Sequence, residues 1–206
     1  MKNGSDFQRR VVAVNGSPRP EGNTARLLDM VCRPLQARGI LTERLQLGGS
    51  RVHGCSGCRK CFENLDQRCV FTDDPINGII AAMGRADGII LGSPTYFANV
   101  TTEMKALIDR AGYVSRANGF MFARKVGAAV VAVRRAGAIH AWNSINHFLH
   151  ISQMVQPGSI YWNLGIGREP GEVEKDEEGC LTMERLGENM AWLLLRLNRI
   201  DDGFSE

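Results

Sequence analysis

Four cysteines crowd into one short segment of the chain, in the order Cys55-x2-Cys58-x2-Cys61-x7-Cys69. Three thiols within seven residues and a fourth one short loop later are enough to surround a [4Fe-4S] cluster, which is held by four cysteine thiolates. Zinc also accepts four thiolates, but its usual pattern is two separated Cys-x-x-Cys pairs, whereas these pairs overlap. The spacing favours an iron–sulfur cluster, and zinc or free thiols in a structural flap are the alternatives.

A second chemical feature is the loop over residues 16–24, which follows a β-branched run and precedes a helical pattern. A strand that enters a helix through small residues aims backbone N–H groups and a helix N-terminus at one point, where a phosphate group fits. An ordinary strand-to-helix turn is the alternative. We name this segment the phosphate loop, and its candidate ligands are Ser17, Arg19, Gly22, Asn23 and Thr24.

The same loop excludes two common nucleotide sites. It lacks the lysine of the G-x-x-x-x-G-K-[ST] loop and the three-glycine spacing of a dinucleotide fingerprint. An ATPase and a plain nicotinamide-binding Rossmann domain are therefore disfavoured.

A turn with two adjacent aromatic rings follows the third predicted strand, and we name residues 94–99 the aromatic turn. Such a turn at the carboxyl end of a strand suits packing against a planar ring system. The alternative is that both rings pack into the core. The candidate ligands in this turn are Pro94, Thr95, Tyr96, Phe97 and Asn99.

The elements that must position these residues alternate between β-rich runs and helical patterns. The β-rich runs are bounded mostly by glycine, proline or serine, and they span residues 10–15, 40–47, 88–92, 126–133 and 159–163. The segments with helical apolar spacing span residues 23–38, 75–83, 101–111, 138–154 and 181–197. Residues 164–179 are expected to form a glycine-rich, acidic loop.

This alternation predicts an α/β fold, a three-layer α/β/α sandwich around a five-stranded parallel sheet. The expected strand order is 2-1-3-4-5, the flavodoxin-like order. Ligands of such sheets lie at the carboxyl ends of the strands beside the reversal in strand order, where the phosphate loop and the aromatic turn fall. Residues 1–206 are predicted to form a single domain, with a cysteine-rich loop at 53–70 that we name the cysteine segment.

Composition narrows the range of partners. The 206 residues carry 25 Lys and Arg against 22 Asp and Glu, without the clustered basic stripe of nucleic-acid binding proteins. No apolar run approaches the roughly 20 residues of a membrane span, and the first residues contain no apolar signal core. We expect a soluble, cytoplasmic protein with a small anionic ligand, no nucleic-acid partner and no membrane partner. Cys32 and Cys180 stand alone and are interpreted as small hydrophobic residues.

Several stretches together resemble the NAD(P)H-dependent FMN reductases and the related iron-sulfur flavoproteins. These are the phosphate loop, residues 93–99 (SPTYFAN), residues 104–110 (MKALIDR) and residues 170–179. The cysteine motif also resembles the compact motif of the iron-sulfur flavoproteins, and it follows the second strand as theirs does. The resemblance runs from about residue 10 to the C-terminus.

This resemblance implies FMN as the cofactor, with its isoalloxazine at the aromatic turn and backbone groups from Pro94 to Asn99 bonded to its polar edge. It also implies NADH or NADPH as co-substrate and a homodimer or homotetramer, with the flavin near a subunit contact. Because the flavin performs the chemistry, no acid–base side chain is predicted to be catalytic.

Basic residues near the end of the fourth strand and on the next helix are further candidates. Arg134 and Arg135 offer two guanidinium groups for a reduced flavin or for the phosphate of a nicotinamide cofactor, although such pairs are often only solvated. His140, His147 and His150 share one helical face without a clear carboxylate partner, so we interpret them as a surface or interface feature rather than a metal site.

The leading hypothesis is an FMN-dependent oxidoreductase that passes electrons from NAD(P)H to a small-molecule or protein acceptor, through the cluster. One alternative is a quinone or flavin reductase that lacks the cluster. Another is an electron carrier that binds FMN without oxidising NAD(P)H, although the strongly acidic surface typical of such carriers is missing. A zinc-stabilised binding module with an empty phosphate loop is the last alternative.

Overall fold

A five-stranded parallel sheet lies at the centre of the computed structural model, which describes residues 8–197. The strand order is β2-β1-β3-β4-β5, which confirms the predicted flavodoxin-like order. The strands are β1 (Arg10–Asn15), β2 (Leu41–Gln46), β3 (Gly88–Pro94), β4 (Val126–Val133) and β5 (Leu164–Ile166).

Helices cover both faces of the sheet. Their bounds are α1 (Asn23–Ala37), α2 (Lys60–Asn64), α3 (Ile76–Arg85), α4 (Thr102–Ala117), α5 (Ala138–Ile151) and α6 (Glu177–Arg196), with one 3-10 turn at Glu172–Lys175. Helices α1 and α6 pack on one face, and α3, α4 and α5 pack on the other, so two apolar cores flank the sheet. None of the helices in the described part of the chain is long and apolar enough to cross a membrane.

The burial of the strands follows from their sequences. All eight residues of β4 are buried, as expected for a central parallel strand with helices on both faces, and they are valine, alanine and glycine. Strand β2 (LTERLQ) has no fully buried residue, and its polar composition suits the edge of a sheet. The sheet thus has its most apolar strands in the middle.

The fifth strand lies later in the chain than predicted. It spans Leu164–Ile166, whereas the expected run over residues 159–163 is irregular. Tyr161 and Trp162 are exposed by 55% and 47%, so their β-propensity reflects no buried packing surface. The middle residue of β5 is Gly165. A larger residue does not fit there, because the side chain of Leu27 lies where a Cβ would be.

Residues 164–179 are correspondingly more ordered than the acidic loop that was expected. They contain β5, the 3-10 turn and the beginning of α6 at Glu177. The Asp176 side chain caps α6 by accepting a hydrogen bond from the N–H of Gly179 (3.0 Å), a cap that starts the helix four residues before the predicted position.

Candidate functional site

The phosphate loop begins at the carboxyl end of β1 and is held by three neighbouring elements. The N–H of Gly16 donates to the Gly92 carbonyl in β3 (2.7 Å), and the hydroxyl of Thr101, the cap of α4, donates to the Gly16 carbonyl (2.8 Å). The amide of Gln46, at the end of β2, donates to the Ser17 carbonyl (2.7 Å). The loop therefore has a fixed backbone at the point where the strand order reverses.

The chain after β2 lies directly against this loop at Gly48. A Cβ at this position would overlap backbone atoms of Gly16 and Ser17. Only a glycine permits such an approach of two backbones. The segment after β2 thus supports the phosphate loop before it continues into the cysteine segment.

The end of the phosphate loop presents an uncapped helix. Helix α1 begins after Gly22 with no side-chain cap and no acidic residue in its first turn, as described within residues 8–197. Thr24 is 1% exposed, and its hydroxyl oxygen has no hydrogen-bond partner in the same part of the chain. Buried polar groups normally have partners, and free N–H groups at a helix N-terminus bind anions. This arrangement fits a phosphate group.

The other predicted ligands of the loop have structural contacts of their own. The Ser17 hydroxyl accepts a hydrogen bond from the N–H of Arg19 (3.2 Å), and the Asn23 side-chain oxygen accepts one from the N–H of Gly171 (2.7 Å). The Arg19 side chain is exposed. Asn23 thereby ties the start of α1 to the segment after β5, a role that the sequence analysis did not predict.

The aromatic turn is a tight reversal at the end of β3. The N–H of Tyr96 donates to the Asn99 carbonyl (2.8 Å), and the N–H of Asn99 donates back to the Tyr96 carbonyl (3.0 Å). Phe97 and Ala98 have φ angles of 47° and 60°. Tyr96 is 50% exposed and the Phe97 ring is fully in solvent. The alternative in which both rings pack into the core is therefore wrong.

In the described part of the chain, some polar atoms at the base of the aromatic turn have hydrogen-bond partners and one does not. The Asn99 side-chain oxygen accepts hydrogen bonds from the N–H of Val100 (2.8 Å) and the hydroxyl of Ser144 (2.9 Å), so it anchors the turn to α5. The Thr95 N–H donates to Ala132 in β4 (2.8 Å). The Thr95 hydroxyl is buried without a partner among the described residues, which leaves a polar atom beside the turn to bind a ligand.

Arg134 and Arg135 are both exposed after β4, but only Arg134 lines the neighbouring groove. This open groove has a volume of about 540 Å³, and its other lining residues are Ile166, Gly167, Arg168, Glu172, Lys175 and Asp176. The Glu172 carboxylate accepts hydrogen bonds from the N–H groups of Arg168 and Glu169 (2.8 and 2.9 Å). These bonds hold the pKa of Glu172 below its ordinary value. Both acids of the groove are thus bonded to backbone.

The histidines His140, His147 and His150 are all exposed on α5. This agrees with the interpretation of a surface face. Within residues 8–197, no group of three His, Cys, Asp or Glu side chains is arranged to hold a single metal ion.

The cysteine segment folds around a small, partly open cavity of about 20 Å³, and the short helix α2 forms within the segment. All four cysteines of the motif line this cavity. The other lining residues are Ser56, Gly57, Arg59, Val70, Phe71, Arg110, Tyr113 and Val114. A tetrahedral zinc ion needs its ligands within about 2.3 Å of one point. A [4Fe-4S] cluster instead needs four cysteine thiolates around a compact body. The four cysteines here supply those side chains around one cavity, which has room for roughly one water molecule, so the thiols would have to move apart to admit a cluster.

The thiols of the chain differ in their ionisation. Hydrogen bonds from the Lys60 N–H and the Ser56 side chain lower the pKa of Cys58 below its ordinary value. Burial raises the pKa of Cys61. Burial also raises the pKa of Cys32, outside the segment, to about 12. Because the thiolate is the reactive form of cysteine, Cys58 is more readily ionised than Cys61, and Cys32 stays a thiol at neutral pH.

Buried polar side chains of α3 and α4, which the sequence analysis missed, hold the cysteine segment against the rest of the protein. Asn77 in α3 accepts a hydrogen bond from the N–H of Cys69 (2.8 Å) and donates to the carbonyls of Cys69 (2.9 Å) and Phe71 (2.8 Å). Beside it, Arg110 in α4 forms an ion pair with Asp74, and both side chains are almost completely buried.

A sequence signal for Arg110 was present. It follows Leu107 by three residues and precedes Val114 by four, and both of these are buried. Residues at these spacings share one face of a helix, so the sequence places a charged residue on the apolar face of α4, a signal that the sequence analysis did not use. The sequence alone does not show the hydrogen-bond partners of Arg110, and its role depends on them.

Comparison with known proteins agrees with the geometry. A model of the NADPH-dependent FMN reductase family matches residues 9–169. An iron-sulfur flavoprotein of Methanocaldococcus jannaschii is 36% identical over 189 residues, which cover 88% of this chain and 95% of that protein. An iron-sulfur flavoprotein of Methanosarcina thermophila is 30% identical over 187 residues, which cover 90% of this chain and 95% of that protein.

Solved structures show the same architecture at low sequence identity. The Trp repressor binding protein of Bacillus subtilis aligns with a TM-score of 0.63 at 18% identity, covering 85% of this chain and 96% of that one. A flavodoxin from the domain Archaea aligns with a TM-score of 0.59 at 14% identity, covering 90% and 99%. The sheet order and these similarities define a protein of the flavodoxin-like fold.

The match with the family, which extends over most of the chain, defines the protein further. The chain belongs to the NADPH-dependent FMN reductase family, and it is an FMN-dependent oxidoreductase with iron-sulfur flavoproteins among its relatives.

Proposed function

We propose that this oxidoreductase takes electrons from NADH or NADPH onto FMN and passes them to an acceptor through a [4Fe-4S] cluster. The observation that supports the cluster is that all four cysteines of the motif line one cavity. We assign Cys55, Cys58, Cys61 and Cys69 as its ligands. The lowered pKa of Cys58 favours the thiolate form that binds iron.

The phosphate loop would hold the FMN phosphate. Its backbone is fixed by β2, β3 and α4 before the flavin binds, so little ordering is needed on binding. The buried hydroxyl of Thr24, which has no partner among the described residues, would gain a hydrogen bond to the phosphate. The assigned phosphate ligands are Ser17, Arg19, Gly22, Asn23 and Thr24.

The aromatic turn would receive the isoalloxazine. Tyr96 and Phe97 are exposed on a turn with reciprocal backbone hydrogen bonds, and the buried hydroxyl of Thr95 lacks a partner among residues 8–197. A planar polar ring system would cover the aromatic side chains and bond the free polar atoms at once. The assigned residues are Pro94, Thr95, Tyr96, Phe97 and Asn99.

The basic residues after β4 would bind the nicotinamide cofactor. Arg134 lies in the groove with Arg168 and Lys175, while the carboxylates there are bonded to backbone N–H groups. Among the described residues, the groove lining carries three cations against two carboxylates, so it offers a net positive charge to a cofactor phosphate. We assign Arg134 to this contact, with its neighbour Arg135 in an outer position.

The chemistry itself would come from the bound groups. FMN accepts a hydride and releases electrons one at a time, and the protein supplies binding, orientation and electrostatics. The residues of this chain fix the phosphate, present the aromatic turn to the ring and hold the cysteines together. The acceptor is a small molecule or a protein.

We also propose that the chain forms a homodimer or homotetramer. Ile160, Tyr161 and Trp162 are consecutive exposed apolar residues, and clustered exposed apolar residues are typical of interaction surfaces. Light scattering on the purified protein would measure the mass, and a monomer at all concentrations would contradict this proposal.

The central experiment is purification without oxygen, followed by measurement of FMN, iron, sulfide and zinc per chain. We expect one FMN and about four irons, and reduction of the flavin spectrum by NADH or NADPH. Iron-free protein that still oxidises NAD(P)H would instead be a quinone or flavin reductase. Loaded protein that NAD(P)H does not reduce would be an electron carrier.

A pair of cysteine variants tests the ligand assignment. Cys58→Ser should lose iron and retain FMN, because it removes a thiol from a cavity that no residue of the phosphate loop lines. Cys180→Ser is the matched control, since Cys180 lies in α6 and its thiol donates to the Val173 carbonyl (3.3 Å). Unchanged iron content in Cys58→Ser would show that the cluster assignment is wrong.

A further inference from the structure

Arg110 is a cation buried beside the cysteine cavity. The residue is 1% exposed, and it is one of the residues that line the cavity. Its counter-ion is Asp74, whose side chain is also 1% exposed and does not line the cavity. The positive member of the pair is therefore the one next to the cysteines.

The hydrogen bonds of Arg110 close the base of the cysteine segment. Its guanidinium donates to the carbonyl of His53 (3.1 Å) at the start of the segment and to the carbonyl of Phe71 (3.0 Å) just after its end. Asp74 accepts a hydrogen bond from the N–H of His53 (3.0 Å). The rings of His53 and Phe71 stack with centroids 4.8 Å apart.

These contacts make the two ends of the segment one unit. His53 precedes the first cysteine by two residues, and Phe71 follows the last cysteine by two residues. The planar fork of arginine can donate to both carbonyls and to the carboxylate at the same time, whereas a lysine ammonium has no such fixed geometry.

One nitrogen atom of the guanidinium group has no hydrogen-bond partner among the described residues. The Nε of Arg110 is buried and unbonded as far as residues 8–197 are described. Hydrogen bonds and positive charge near the sulfurs raise the reduction potential of an iron–sulfur cluster, because reduction adds negative charge to it.

Arg110 also belongs to a helix that contacts the other site. The cap of α4, Thr101, bonds to Gly16 of the phosphate loop. Arg110 follows Thr101 by nine residues, which is about 14 Å along a helix axis. The same rigid helix thus spans the distance between the phosphate loop and the cysteine cavity.

We propose that Arg110 is a positioning residue of the cysteine site, which closes the base of the segment and raises the reduction potential of the cluster held there. Asp74 is its buried counter-ion and orients the guanidinium. This inference rests on the proposed function, because it assumes that the cavity holds a cluster.

The test compares three variants of the full chain after anaerobic reconstitution with iron and sulfide. Arg110→Lys retains the charge without the fork, and Arg110→Met combined with Asp74→Asn removes both charges of the pair. Arg116→Met is the control, because Arg116 is an exposed cation on the same helix. FMN affinity and far-UV circular dichroism of each variant verify that the sheet and phosphate loop are intact.

We expect Arg110→Lys to bind at most half the iron of the parent protein, with a nearly unchanged midpoint potential in the part that is loaded. The double variant should have a more negative midpoint potential, or no iron while FMN is retained. Arg116→Met should match the parent in both measurements. A double variant with the iron content and midpoint potential of the parent protein would overturn the proposal. That result would mean that the ion pair neither holds the segment closed nor affects the potential of the cluster.

A measurement without any cluster separates this inference from the proposed function. In iron-free protein, hydrogen exchange of the amides in residues 53–71 should be at least tenfold faster in Arg110→Lys than in the parent or in Arg116→Met. If the parent protein never binds iron, the proposed cluster is wrong. If exchange is unchanged in Arg110→Lys, the closing role of Arg110 is wrong, whatever the iron content, and this variant decides the matter where the double variant fails to fold.

Discussion

The phosphate loop and the cysteine segment both connect larger elements of the fold, but different forces hold them in place. Backbone and side-chain hydrogen bonds from β2, β3 and α4 fix the phosphate loop at the carboxyl end of β1. The cysteine segment is mostly exposed and depends at its base on Asn77 and on the buried pair of Arg110 and Asp74. The conformation of the phosphate loop should therefore tolerate most side-chain substitutions. The conformation of the cysteine segment should depend strongly on Asn77, Arg110 and Asp74.

The largest effect is expected for Arg110→Met alone. This change leaves the Asp74 carboxylate buried without its partner, and breaking a buried ion pair in this way costs about 3–5 kcal/mol. Urea unfolding would measure the loss. Adding Asp74→Asn should recover most of it, whereas exposed Arg116→Met should change the free energy of unfolding by less than about 0.5 kcal/mol. Equal losses in Arg110→Met and Arg116→Met would remove the contrast between the two regions.

A smaller effect is expected at the phosphate loop with Thr24→Val. The hydroxyl is buried without a partner in the described chain, so its removal should leave the stability of the FMN-free protein unchanged or raise it. The lost hydrogen bond to a charged phosphate is worth about 1.5–3 kcal/mol, or roughly 10- to 150-fold in FMN affinity. Fluorescence titration with FMN would measure this change.

Thr182→Val is the matched control for that variant. Thr182 is equally buried, but its hydroxyl donates to the Glu178 carbonyl within α6 (2.7 Å). It should lose some stability and no FMN affinity. The reverse pattern would place the phosphate elsewhere.

As the pH falls, the contacts at the base of the cysteine segment should weaken at a higher pH than those of the phosphate loop. Burial opposes the charge of Asp74, but hydrogen bonds from Arg110 and from the N–H groups of His53 and Ile76 outweigh it, so its pKa lies below the ordinary value. A carboxyl with a depressed pKa stabilises the fold above its ordinary pKa, and this stability is lost as the pH falls towards the folded-state value.

The pH dependence can be measured by unfolding between about pH 5 and pH 2, a window that includes the ordinary aspartate pKa of about 3.9. Stability should fall with pH in the parent protein, and the slope should be shallower when Asp74→Asn is combined with Arg110→Met. An unchanged slope in that double variant would show that other carboxyl groups dominate the acid sensitivity.

The smallest effect is expected for Arg134→Ala in the groove after β4. An exposed charge contact contributes up to about 1 kcal/mol, which is roughly a fivefold rise in KM for NAD(P)H, and added salt should reduce the difference. Arg135→Ala is the comparison, because Arg135 does not line the groove. A larger effect of Arg135→Ala would place the nicotinamide cofactor on the other side of this loop.

Local sequence patterns predicted the parts of this molecule that depend on neighbouring residues. The strands and helices, the loop at the start of α1 and the grouping of the cysteines follow from apolar periodicity, glycine positions and short spacings. The strand order was expected from the order that such alternating α/β chains commonly adopt. The fifth strand was misplaced because Tyr161 and Trp162 have high β-propensity but no surface to pack against.

The contacts that were missed join residues far apart in the chain. Arg110 bonds to His53, 57 residues away, and to Phe71, 39 residues away. Asn23 bonds to Gly171, 148 residues away. No local pattern contains such pairings, because they arise only when the strands and helices have assembled.

The close approach at Gly48 divides the molecule for protein engineering. An insertion or deletion next to this residue would disturb the phosphate loop, because the two backbones touch there. Beyond it, both ends of the cysteine segment are joined by contacts among His53, Phe71 and Arg110. Much of the chain between these two ends is exposed. We therefore expect it to accept loops of other lengths or ligand patterns where the hydrogen bonds of Asn77 to Cys69 are kept.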